Sequence, residues 1–168
     1  SATQGGKLTL FSDDGAALGD THRLGVLEFS AAEDTSSTIT IGARIEAIAD
    51  AAWSASENGA DMVFYTTDGN ASQSEVMRLT ADNLVGIGTA APVFAAATYG
   101  TTGLHIHAQN GADSASILHL STQGTGATAS DGFIVEVWED EKVYLWNYEN
   151  TDMNFAVNDG IKMTLTAG

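Results

Sequence analysis

The sequence contains no cysteine, which excludes a disulfide framework and any thiolate metal site. Basic residues are scarce: six lysines and arginines stand against 22 aspartates and glutamates, a formal charge of -16. Nucleic acids and anionic membranes both demand a basic surface, so the charge argues against either partner. It keeps a chain soluble and suits a salty medium, where it is screened. No apolar run approaches the ~20 residues of a bilayer-spanning helix. No basic start followed by an apolar core marks a signal peptide. The chain opens Ser-Ala-Thr rather than on methionine, which reads as a fragment or processed product, or as simple removal of the initiator. Hydrophobic residues make up 43 % of the 168, but many are alanine, which buries little area. A single compact core of this composition is thin, and association between copies would supply the missing burial.

Turn dipeptides, by contrast, are plentiful. Asp14-Gly15, Asn58-Gly59, Asp68-Gly69, Asn110-Gly111, Asp131-Gly132 and Asp159-Gly160 all favour tight hairpin turns. Short alternating runs lie between them, among them Leu8 to Leu10, Val26 to Phe29, Met62 to Tyr65, Val76 to Leu79, Leu104 to His107, Ile117 to Leu120, Phe133 to Trp138, Val143 to Trp146 and Ile161 to Leu165. Short strands parted by such turns predict an all-β, antiparallel fold. One stretch has two readings. Ile41, Ile45, Ile48 and Ala52 have helical spacing, yet the odd positions from Ile39 to Trp53 are all apolar and their even neighbours from Thr38 to Asp50 are polar or glycine, Ile48 excepted. Period two fits more positions, so a long strand is expected.

The only proline, Pro92, closes the stretch NLVGIGTAAP, Asn83 to Pro92. Gly86 to Ala91 matches a loose dinucleotide-binding fingerprint, but that motif needs an amphipathic helix after it. Pro92, Thr98, Tyr99, Gly100 and Gly103 break the segment where the helix would run. Internal similarity gives a better account. EVMRLTAD (Glu75 to Asp82) matches IKMTLTAG (Ile161 to Gly168), GKLTLF (Gly6 to Phe11) corresponds to TGLHIH (Thr102 to His107), and VLEFS (Val26 to Ser30) to ILHLS (Ile117 to Ser121). Two related β-rich units in tandem are expected: residues 1–89, a linker at 90–102, and residues 103–168. Gly86, Gly88 and Pro92 form the junction, the glycines for backbone freedom and the proline to stiffen the exit.

The stretch from Ala43 to Pro92, with its A-R-I-E strand, its V-F-Y-T-T and M-R-L strands and its V-G-I-G-T-x-x-P junction, is very similar to repeats in tail fibres and related appendage proteins of tailed bacteriophages, especially marine and environmental ones. The likeness is strongest over Ala43 to Ile106 and weaker in the second unit, whose Trp138-to-Tyr148 region departs from the pattern. It implies β-sandwich-like units assembled as a homotrimeric, non-catalytic fibre segment of the virion. Such a segment would space and present a region that binds a host receptor or surface glycan. A strand such as Phe133 to Trp138, apolar on nearly both faces, needs cover on each side, as that assembly would give.

Three groups of residues carry candidate chemistry. His105 and His107 point to one face of a strand. On a three-fold axis they would gather six imidazoles, suited to an octahedral transition metal, and certain phage fibre tips resemble this arrangement with iron. Two surface histidines are the plainer reading; His119 could join either, and His22 reads as a turn residue. The run Glu139-Asp140-Glu141 predicts a hairpin tip, where carboxylates either collect calcium or are simply solvated. Asp13, Asp14 and Asp152 have the same two readings. Trp138, Tyr144, Trp146 and Tyr148 are the densest aromatic cluster. Exposed, they would stack on sugars with Asn147, Asn150 and Asp152 supplying hydrogen bonds; buried, they are core or trimer interface. No nucleophile elbow appears, and among 22 acidic residues some pair meets glycosidase spacing by chance. A carbohydrate-binding module is the alternative function, and a polysaccharide depolymerase a more distant one.

Overall fold

The computed structural model describes residues 5–13, 15–69, 72–94, 102–109 and 114–168. Among them are eleven β-strands and no helix, so the chain is all-β. It divides into two units, Ser1–His107 and Ala108–Gly168.

The first unit holds one six-stranded sheet in sequential order: β1 (Arg23–Ala32), β2 (Ile39–Ala49), β3 (Ala60–Thr67), β4 (Gln73–Leu79), β5 (Leu84–Ile87) and β6 (Gly103–Ile106). The first five strands form an antiparallel meander. β2 follows the period-two pattern expected of it and stops at Ala49. Beyond it Trp53 is fixed by its backbone N–H to the Leu18 carbonyl at 2.8 Å and by its indole N–H to the Gly59 carbonyl at 2.9 Å. The hairpin before β2 is tied by Asp34, whose carboxylate accepts from the backbone N–H of Ser36 and of Thr38.

Cross-strand register sorts this sheet into two unlike faces. On one, Leu27, Ile45, Phe64, Met77, Ile87 and Ile106 form a row across all six strands. Beside it runs a second row, Gly25, Ala47, Met62, Leu79, Val85 and Leu104. Neither row carries a charge, and Leu27 and Leu104 are each 50 % exposed. The opposite face is ionic. Arg23 reaches Glu46 at 2.6 Å and Arg44 reaches it at 3.1 Å. Arg78 donates to Asp61 and to Glu75, each at 2.6 Å. Between these networks Val63 pairs with Glu46 on one side and Arg78 on the other, and is fully buried.

Two expectations are corrected here, the first strand and the purely antiparallel pairing. Leu8 to Leu10 forms no strand, because three alternating residues without a paired neighbour satisfy no backbone ladder; Leu10 packs instead where a side chain on Gly25 would stand. The fold is not wholly antiparallel, since β6 adds parallel to β5. The connection between them spans about 15 residues, enough for a parallel return. Gly103, the residue expected to open the second unit, therefore lies in the first unit's sheet, and the chain divides after His107. Residues 95–101 of the expected linker, and the Asn110-Gly111 turn, fall outside the described residues.

In the second unit β7 (Ala115–Leu120), β8 (Phe133–Trp138) and β9 (Val143–Asn147) form an antiparallel sheet, and β10 (Met153–Val157) pairs with β11 (Gly160–Leu165). Glu139-Asp140-Glu141 is the expected hairpin tip, with Glu141 at φ 65. The β10–β11 turn falls one residue earlier than its Asp-Gly signal, on Asn158 and Asp159 at φ 47 and 57, the two positive angles of a type I′ turn. One face of the three-stranded sheet carries the row Leu118, Val135, Leu145 flanked by Val137 and Val143. That face is again apolar and half-exposed.

Among the described residues buried apolar side chains are few: Ala49, Val63, Pro92 and Ile134.

Candidate functional site

The glycine junction is built for close approach. Gly86 is buried inside β5. A side chain there would stand 2.6 Å from the Thr89 carbonyl oxygen and 3.4 Å from Pro92 Cδ, so bare backbone lets the chain fold back over the strand. Gly88 has φ +73, and a Cβ on it would collide with the His107 carbonyl. Its N–H donates to Val76, and the His107 N–H donates to Ile87. Pro92 is buried. The next described element is the strand β6.

His105 and His107 do come together, their ring centroids 5.7 Å apart and edge-on. The Val93 N–H donates to His105 Nδ1 at 3.3 Å, which places the neutral ring's proton on Nε2. Phe94 stands edge-on to His105 at 6.3 Å. Among the described residues no group of three or more histidine or carboxylate side chains is placed to hold a metal ion. One chain thus offers a pair of imidazoles. His119 belongs to β7 in the second unit, its Nε2 2.6 Å from the Asp131 carbonyl oxygen. His22 follows a turn, as expected, its N–H donating to Gly19. Asp13 and Asp152 serve local structure, accepting from the N–H of Gly15 and of Ala167; Asp14 lies outside the described residues.

The aromatic cluster forms a groove. Alternation puts Trp138, Tyr144 and Trp146 on one face of the β8–β9 hairpin, and Tyr148 continues the line. Trp146 is central, 6.3 Å from Tyr144 and 5.8 Å from Tyr148 between ring centroids. With Glu136 and Asp140 these rings line a groove of about 360 Å³. Trp146 is 47 % exposed, so in the single chain the row is open rather than core. Asn147 does not belong to it. It pairs with Phe133 on the opposite face, and its Nδ2 donates to the Thr151 carbonyl at 3.1 Å.

Sequence reasoning missed Glu136, 7 % exposed at the centre of this face. The signal was present in Phe-Ile-Val-Glu-Val-Trp, where one carboxylate is flanked by apolar residues on both sides. At the rim Asp140 is held below the usual carboxylate range, first by its hydrogen bond with Lys142. No family model matches the chain, and no curated protein matches it significantly.

Proposed function

We propose that the chain is a structural, non-catalytic segment of a bacteriophage tail fibre or similar virion appendage. In this reading it is a homotrimer of two related units in tandem, and it spaces and presents a host-receptor-binding region. The observation that carries the reading is the uncovered apolar face that each unit keeps. An apolar sheet face left half-open invites association, and the occupant is best a copy of the same chain. Both units offer the same pattern, Leu27, Ile45 and Phe64 in one and Leu118, Val135 and Leu145 in the other, so each has a face that a neighbouring copy can cover.

The repeated motifs support the tandem. Val26 and Ile117, aligned in VLEFS and ILHLS, each pair with a buried glutamate, Glu46 and Glu136. M-x-L-T-A ends β4 and β11 alike. The junction's likeness to phage fibre repeats supplies the setting. Sedimentation equilibrium at micromolar concentration is expected to give three times the 17.4 kDa chain mass; a stable monomer overturns the assembly. A host-glycan-binding module is the second reading, favoured by the open aromatic row.

A further inference from the structure

Two buried carboxylates occupy matching positions in the two units, and only one of them is neutralised. Glu46 and Glu136 are 4 % and 7 % exposed. Glu46 has Arg23 and Arg44, and the Arg44 guanidinium lies 3.8 Å from the centre of the Tyr65 ring. Followed through the same registers, the pair Arg44 and Tyr65 corresponds to Ile134 and Trp146. The aromatic partner is kept and the guanidinium is gone.

Nothing else in the second unit replaces it. The Glu136 side chain makes no hydrogen bond or ion pair with a described residue. Residues 108–168 contain no arginine. Lys142 is engaged by Asp140, and Lys162 lies on β11 in a different sheet. Most of the Glu136 side chain is withdrawn from water while its carboxylate, without a counter-charge, opens into a groove lined by aromatic rings, where a cation that pairs with it is favoured. Aromatic faces and a carboxylate together select an organic cation over a neutral sugar or a hydrated metal ion. The planar guanidinium also suits bidentate donation to a carboxylate while it stacks on a ring.

We propose that the Trp138–Tyr148 groove binds a guanidinium group, an arginine side chain presented by another polypeptide. Its N–H groups donate to Glu136 and its plane lies against Trp146, the arrangement that Arg44 makes internally with Glu46 and Tyr65.

The test titrates the full chain with N-acetyl-arginine amide while following tryptophan fluorescence. N-acetyl-citrulline amide serves as the neutral isostere and a chito-oligosaccharide as the sugar. The arginine probe is expected to give a saturable change. The citrulline probe, and the arginine probe with Glu136→Gln, are expected to bind at least about tenfold more weakly, and Trp146→Ala to weaken binding comparably. Equal binding of the two amides, unaltered binding to Glu136→Gln, tighter binding of the neutral sugar, or no saturable change with arginine each overturns the proposal. Far-UV circular dichroism confirms that both variants keep their strands.

Discussion

Glu46 sits on an interior strand among groups from both neighbouring strands, and its ionisation is decided by competition. Burial pushes its carboxyl up; hydrogen bonds from Arg44 and Tyr65 and the charge of Arg23 outweigh that and leave it below its ordinary 4.5. A folded-state value below the unfolded one means the network's stabilisation is fully present above about 4.5 and is lost as pH falls through the lower folded value. Thermal melts between pH 7 and 2.5 are therefore expected to show a falling midpoint that begins near 4.5. Glu46→Gln should flatten part of that fall, and a variant with an unchanged acid slope would show that the network contributes nothing. Gly88 makes the same point about single atoms. One added methyl group there meets both a positive φ and the His107 carbonyl.

At the scale of strands and faces, the half-open apolar rows are the feature with consequences. Leu27→Asp together with Leu118→Asp places a charge on each row at positions already 50 % and 44 % exposed. The isolated sheet loses little, roughly 1 kcal/mol per site, while an assembled face must bury both carboxylates. The double variant is expected to keep its β circular dichroism and to sediment as a monomer; retention of the trimer would place the interface elsewhere. Much of this scale was legible. The Ile39-to-Ala49 alternation, the acidic hairpin tip and the aromatic line along β8 and β9 follow from period two and turn chemistry, both local. What was not legible depends on partners distant in sequence. The Arg23–Glu46–Arg44 cluster joins β1 and β2 and adds Tyr65 of β3 and Gln73 of β4, and alternation alone reads each member as a solvated residue. Asn147 was grouped with the aromatics by nearness in sequence, although one step along a strand changes its face. The parallel entry of β6 depends on a long connection whose course no local signal encodes.

At the scale of the whole molecule, each copy brings a formal charge of -16, so association works against a uniform repulsion. The apolar rows gain little from added salt directly, but the repulsion is screened as the Debye length falls from about 30 Å at 0.01 M to about 8 Å at 0.15 M. Self-association is expected to strengthen by about tenfold or more across that range, measured by sedimentation at both ionic strengths. Weakening with salt would show that the copies are held by ion pairs instead.

The parallel step at β6 has a directional consequence. Four antiparallel pairings bring β5 back to the heading of β1, and β6 shares the heading of β5. The two edge strands of the six-stranded sheet, β1 and β6, therefore share one heading, so a strand that joins either edge meets the same backbone polarity.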